Sequence, residues 1–249
     1  MTLSIRSKTP LFLLPLILFS IFGCAPLGTH PKSPSISQTK IQLLREGLAV
    51  QNRAVQTFVS TGSLEMWDTS QHIPTMFLTV ASRNPFRLKV EITHSWGLPL
   101  LHILLNGNRV TVVDLYHHRT YHSALGIDAP FLDKMPLLDR ALMWSIMRAF
   151  PEVKDRGKIS WSNKDRALVV KEAGEVTQEI RFDRNLQYPV NVVYPNLEVD
   201  VKFSDFTAQG NIVYAKKVKV THLVRQASMR IKIKKIFFNQ ALDPKIFDL

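Results

Sequence analysis

From Val59 onward, apolar and polar residues alternate with a period of two in one segment after another, which excludes an all-helical fold. Phe86, Leu88, Val90 and Ile92 interleave with Arg87, Lys89 and Glu91, and Leu197, Val199, Val201 and Phe203 interleave with Glu198, Asp200 and Lys202. Such segments suit half-buried antiparallel strands, with one face to a core and one to water. Similar stretches recur at 59–67, 75–83, 100–105, 110–115, 168–171, 179–182, 190–194, 213–223 and 229–237. Turn signals separate them at Asn84-Pro85, Asn106-Gly107-Asn108, Gly174 and Gln209-Gly210-Asn211. The pattern predicts one large antiparallel sheet of about ten strands.

Two segments break this period. Residues 38–57 have helical spacing, with Ser37 as N-cap and Ile41, Leu44, Leu48 and Val55 on one face. Residues 136–150 place Leu138, Ala141, Leu142 and Ser145 on one face, between Asp133 and Pro151. A sheet that wide must curl or close, and helices with an apolar stripe are natural covers for its concave side. The expectation is an α+β fold: a strongly curved antiparallel sheet wrapped around two helices. Its interior would be apolar and partly filled by side chains, with room for an acyl chain where packing is incomplete.

Ahead of this domain, Arg6 and Lys8 precede the apolar run from Leu11 to Phe22, the layout of a secretory signal peptide and too short for a permanent membrane span. The run ends in Ile21-Phe22-Gly23-Cys24, and Cys24 is the only cysteine. No intramolecular disulfide can form, and a cysteine behind a small residue at the end of such a run resembles a bacterial lipobox. Residues 1–23 are therefore read as a lipoprotein signal peptide. Cys24 is read as the lipidated N-terminus, since several acyl chains make anchoring stable where one is marginal. By resemblance to proteobacterial sorting rules, Ala25 in place of an acidic residue favours the outer membrane, with the domain facing the periplasm. Residues 24–37, with Pro26, Pro31, Pro34 and three serines, form a linker that leads into one domain spanning 38–249. At ~3.3 Å per residue the linker reaches up to about 40 Å.

A net charge of +12 would suit a nucleic-acid binder in the cytoplasm. Loss of Arg6 and Lys8 with the signal lowers it to +10, and in an envelope compartment the available anions are lipid head groups rather than nucleic acid. Lys216, Lys217, Lys219, Arg225, Arg230, Lys232, Lys234 and Lys235 crowd the last two strands, as a membrane-facing surface, a partner surface or a merely solvated face would each explain. The chain has no G-x-S-x-G, H-E-x-x-H, P-loop, G-x-G-x-x-G or C-x-x-C motif, so no catalytic residue and no cofactor is assigned, and an enzyme is not expected. The dense cluster Tyr116-His117-His118-Arg119-Thr120-Tyr121-His122 invites a metal reading. On a strand, however, His118 and His122 lie roughly 13 Å apart, beyond one ion's reach, so a hairpin turn with exposed histidines and no metal is expected.

The order of elements, namely lipobox, linker, helix, about six strands, inserted helix and further strands, resembles the LolA/LolB lipoprotein carrier superfamily. The sharpest patch is 87–114, where a strand ends in Thr93-His94-Ser95-Trp96-Gly97, passes Leu98-Pro99 and continues through Leu105-Asn106-Gly107-Asn108-Arg109-Val110. This is similar to the LolB type, whose third and fourth strands are joined by a loop with an apolar residue just before glycine, the place Trp96 occupies here. Asn239 to Phe247 is similar to the tail of these carriers. The resemblance implies a half-open β-barrel that takes the acyl chains of lipoproteins from a periplasmic carrier protein and helps insert them into the outer membrane, breaking no bond. It also implies Trp96 and Leu98 as a membrane-inserting loop, and Phe86, Leu88, Val90, Ile92, Leu197, Val199, Val201 and Phe203 as cavity lining. For each of these eight, a place in a closed dry core is the alternative. Two further readings keep the fold: a structural lipoprotein that scaffolds an envelope complex, and an amphiphile or phospholipid sensor or shuttle.

Overall fold

The computed structural model describes residues 36–67, 72–124, 139–154, 157–224 and 227–248. Cys24, the apolar run before it, most of the linker and Leu138 lie outside them. Helix α1 (Gln38–Arg53) opens on Ser37, whose hydroxyl accepts from the Lys40 N–H at 3.2 Å, and it buries Leu44, Leu48 and Asn52. It ends before the expected Thr57, because Thr57 already begins the first strand.

Thirteen strands form one antiparallel sheet: β1 (Thr57–Trp67), β2 (His72–Ser82), β3 (Arg87–His94), β4 (Pro99–Asn106), β5 (Arg109–Asp114), β6 (Arg119–Ala124), β7 (Lys158–Ser162), β8 (Ala167–Glu172), β9 (Glu175–Phe182), β10 (Pro189–Tyr194), β11 (Val199–Gln209), β12 (Ile212–His222) and β13 (Ser228–Phe238). Their order is β6-β5-β4-β3-β2-β1-β13-β12-β11-β10-β9-β8-β7. Two meanders are thus stitched together by the β1–β13 pair, and the ends of the order, β6 and β7, remain unjoined. β6 and β7 are absent from the expected list of strands, since both face water and lack a clean alternation.

The stitch contains a bulge at Thr61/Gly62, where Lys235 pairs with Thr61 but Ile233 pairs with Gly62. The extra residue, Lys234, resets the pleat, so both Ile233 and Ile236 point inward. Gly62 is required there: a Cβ would meet the Lys232 carbonyl oxygen at 2.0 Å.

Along β3, Leu88, Val90 and Ile92 are buried between partly exposed Arg87, Lys89 and Glu91, as the period of two requires. Helix α2 (Arg140–Arg148) is capped by Asp139, which accepts from the Ala141 N–H at 2.8 Å, and ends on Ala149 in the left-handed region. The expectation of one apolar stripe is corrected here. Every residue from Leu142 to Arg148 is buried, so α2 is enclosed on nearly all sides rather than laid over the sheet. Trp144 packs edge-on against Phe58 at 5.1 Å and also meets Phe86, which ties α2 to β1 and to the β2–β3 turn.

Leu197 also departs from expectation. Pro195–Leu197 is a 3-10 turn, Glu198 follows at φ 54°, and strand β11 begins only at Val199, so Leu197 is a half-buried turn residue and not an inward strand position.

Candidate functional site

Alternating hairpins put the β1–β2, β3–β4, β5–β6 and β12–β13 connections at one end of the sheet, and the β2–β3, β4–β5 and β11–β12 connections at the other. The two ends are built differently.

Near the first end, the inner face and α2 enclose a small cavity lined by Leu64, Phe77, Val90, Ile92, Ile103, Met143, Ile146, Met147, Met229 and Ile231. Every lining side chain is apolar. Ile92 lies two residues before the β3 terminus and Met229 one residue after the start of β13, so the cavity sits just beneath this rim. Its volume is about 30 Å³. An apolar cavity of about 150 Å³ holds a benzene ring, so this one is nearly filled at rest. Met143 and Met147 on α2 and Met229 on β13 do much of that filling, and the unbranched thioether repacks more readily than a branched side chain.

Of the eight residues expected to line a cavity, Val90 and Ile92 do so. Leu88, Val199, Val201 and Phe203 are buried in the same apolar core away from it. Phe86 is half-buried in the β2–β3 turn, beside Trp144 at the far end. The lining residues that sequence reasoning missed come from β1, β2, β4, β13 and α2, and their one local signal is the Met-x-x-x-Met spacing of Met143 and Met147.

The other end is closed by a polar network around Arg148, which is fully buried. Its guanidinium donates to Asn52 Oδ1 at 3.0 Å and to the Gln51 carbonyl at 2.5 Å, which joins the last turn of α2 to the last turn of α1. Asn52 donates to the Pro151 carbonyl at 3.0 Å. Arg83 donates to the Asn52 carbonyl, pairs with the Glu152 carboxylate and stacks over Trp144. Gln178 bridges the Glu152 carbonyl at 2.7 Å and the Tyr194 hydroxyl at 3.2 Å. Burial pushes the Arg148 guanidinium down to about 9, opposed by Glu152 and aided by Arg83, so it remains a cation at neutral pH. Burial pushes the Tyr194 phenol up to about 12 against the Gln178 hydrogen bond.

At the rim, Trp96 is 88% exposed and Leu98 56% exposed. The β3–β4 turn that presents them is tightly held. Gly97 N–H donates to the His94 carbonyl and His94 N–H to the Leu98 carbonyl, each at 2.8 Å, with Gly97 at φ 87°. The His94 ring lies 4.4 Å from that of Trp96, bracing the indole from below. Tyr116, Leu223 and Val224 are exposed on other turns of the same end.

In the histidine cluster, His117 Nδ1 lies 2.7 Å from Asp114 Oδ2. Burial raises the Asp114 pKa, but hydrogen bonds from His117 and Tyr116 outweigh it, so the carboxyl stands below its usual range. His118 is in the β5–β6 turn, and His122 on β6 meets Thr111 at 3.2 Å. Among the described residues, no group of three or more His, Cys, Asp or Glu is placed to hold a metal ion, and no helix is long and apolar enough to cross a membrane.

An open antiparallel half-barrel with its concave side occupied by helices defines the class of protein. Solved structures share this fold, among them one described as a LolA superfamily protein. A LolA superfamily protein from Nitrosomonas europaea superposes with a TM-score of 0.51 at 11% identity, covering 86% of this chain and 99% of that one. An outer membrane lipoprotein-sorting protein domain from Vibrio parahaemolyticus gives 0.55 at 9% identity, with 83% and 95% covered. A DUF1329 family protein from Desulfovibrio piger gives 0.55 at 11% identity, with 84% and 97% covered. No family model matches the sequence, and no curated protein matches it.

Proposed function

We propose that this chain is an envelope lipoprotein, held to the outer membrane through acylated Cys24, that takes acyl chains of lipoproteins into its apolar interior and helps insert them into the bilayer. The observation that carries the reading is one juxtaposition. An all-apolar cavity, plugged by the methionine-bearing face of α2, lies directly beneath the rim from which Trp96 and Leu98 project. A solved structure of the same fold is described as a lipoprotein-sorting domain, which supports this cargo class.

The energetics are workable. Displacing Met143, Ile146 and Met147 forfeits roughly 1.5–3 kcal/mol of burial each, and each acyl methylene that replaces them recovers about 0.8 kcal/mol, so on the order of ten methylenes offset the opening. Cargo then moves by difference alone, because bilayer and interior offer the same hydrophobic gain. Trp96 supplies a bias towards release. An indole buries about 150–250 Å² and prefers the water–lipid boundary, worth roughly 4–6 kcal/mol at most when fully inserted.

Mass spectrometry of lipids that co-purify with the protein, together with uptake of a fluorescent acyl probe, tests the carrier reading. Bound acylated species and saturable uptake are expected, and absence of both would overturn it. Trp96→Glu should leave uptake intact and block delivery to liposomes. A second reading, a structural lipoprotein scaffolding an envelope complex, is favoured by the near-complete filling of this cavity. It predicts no acyl uptake and normal lipoprotein sorting when the protein is depleted.

A further inference from the structure

The outward rows of β11, β12 and β13 hold a charge arrangement that folding alone disfavours. Lys202 pairs with Lys219, and Lys219 with Arg230, so three cations stand directly opposite one another in one row. The next row places Lys217 opposite Lys232. Like charges across a strand pair are destabilising. The single carboxylate of Glu65 is shared between Arg230 and Lys232, and Asp205 pairs with Lys217 at 2.6 Å. Among the described residues, Lys202 and Lys219 have no carboxylate within 4.0 Å, and with Lys217 and Arg230 they line one shallow groove. These strands end in the β12–β13 tip, where Leu223 and Val224 are 53% and 67% exposed. Both sides of this turn are tied down: Leu223 N–H donates to the Glu198 carbonyl at 2.7 Å, and His222 N–H to the Ala227 carbonyl at 2.9 Å.

We propose that the β12–β13 tip and the lysine row behind it form a second membrane contact, in which Leu223 and Val224 enter the interface of an anionic bilayer while Lys202 and Lys219 bind its head groups. The spacing fits a layered partner. Lys219 lies four residues before Leu223, about 14 Å along the strand. An apolar element inserts roughly 5–10 Å at the interface, and the head-group layer beyond the hydrocarbon is about 5–8 Å deep, so these long side chains meet phosphates when the tip is inserted. An acidic protein would pair with the lysines but gives no reason for bare apolar residues at the tip. The inference deepens the insertion reading, since this tip and that of Trp96 flank the cavity at the same end.

The test uses the anchored full chain carrying Val224→Cys with a polarity-sensitive fluorophore, reconstituted in vesicles that contain nitroxide-labelled lipid. The parent chain, treated identically, corrects for label on Cys24, and Asn185→Cys, in the β9–β10 turn at the other end, is the comparison position. Strong quenching at 224 and none at 185 is expected in phosphatidylethanolamine–phosphatidylglycerol vesicles. Each lysine near an anionic surface is worth roughly fivefold, so Lys202→Gln with Lys219→Gln should lower the insertion equilibrium about thirtyfold. No quenching at 224, equal quenching in phosphatidylcholine, or indifference to the lysine pair would overturn the proposal. So would a response that appears only when an acidic envelope protein is added. Acyl-probe uptake by the same proteins reports separately on the carrier reading, because it does not depend on position 224.

Discussion

Where α1 and α2 end, Arg148, Asn52, Arg83, Glu152 and Gln178 knit the two helices to the β2–β3 turn and to β9 through buried and partly buried hydrogen bonds. At the opposite end, Trp96, Leu98, Tyr116, Leu223 and Val224 stand in water, and the cavity beneath them is held closed by apolar contact alone. One end thus fixes a unique arrangement through directional bonds, which are costly to leave unmade. The other relies on non-directional packing that a second apolar substance can replace without orphaning any polar group.

Arg148→Ala attacks the fixed end and carries the largest expected effect. It orphans Asn52 Oδ1 and the Gln51 carbonyl, at about 1–3 kcal/mol each, so urea unfolding should record a loss on the order of 4 kcal/mol. A loss below about 1 kcal/mol would mean that the network does not clamp the helices.

Tyr194, joined to the same polar network through Gln178, probes it through pH. Its folded-state pKa of about 12 lies above the ordinary 10.0, so the neutral phenol adds stability that is intact below pH 10 and lost as pH rises towards 12. Two units amount to roughly 3 kcal/mol, and the stability of Tyr194→Phe measured over that window should lack this fall. Parallel curves for parent and variant would place the phenol in water.

The smallest effect belongs to the rim, where Trp96→Glu and Leu223→Glu should each change unfolding free energy by no more than about 0.5 kcal/mol. A loss of several kcal/mol for either would make that residue part of the fold and erase the distinction between the two ends.

The sheet was legible where one face is buried and the other wet, as along β3 and β11, because there the pleat writes itself into the residue order. It was illegible at β6 and β7, edge strands with little buried on either face. Helix α2 falls within the expected 136–150, but its enclosure on nearly all sides was hidden, because only Leu138, Ala141, Leu142 and Ser145 were read as a packed face and Arg148 is of a type that faces water. A basic residue in a last helical turn usually caps carbonyls in water, and only the tertiary arrangement puts Asn52 and Gln51 within its reach. The turn holding Trp96 could be located from Gly97 and Pro99, whereas the cavity joins residues from five strands and a helix, which no local pattern encodes.

The unjoined edges have a mechanical consequence. Because β6 and β7 lie at opposite ends of the strand order, the sheet is a strip and not a hoop. A hoop enlarges its bore only by shearing or breaking ladder hydrogen bonds. A strip enlarges by uncoiling, a soft mode that spreads small changes of twist over twelve strand pairings and breaks none of them. On the carrier reading proposed above, capacity then follows the girth of the cargo without loss of a ladder hydrogen bond.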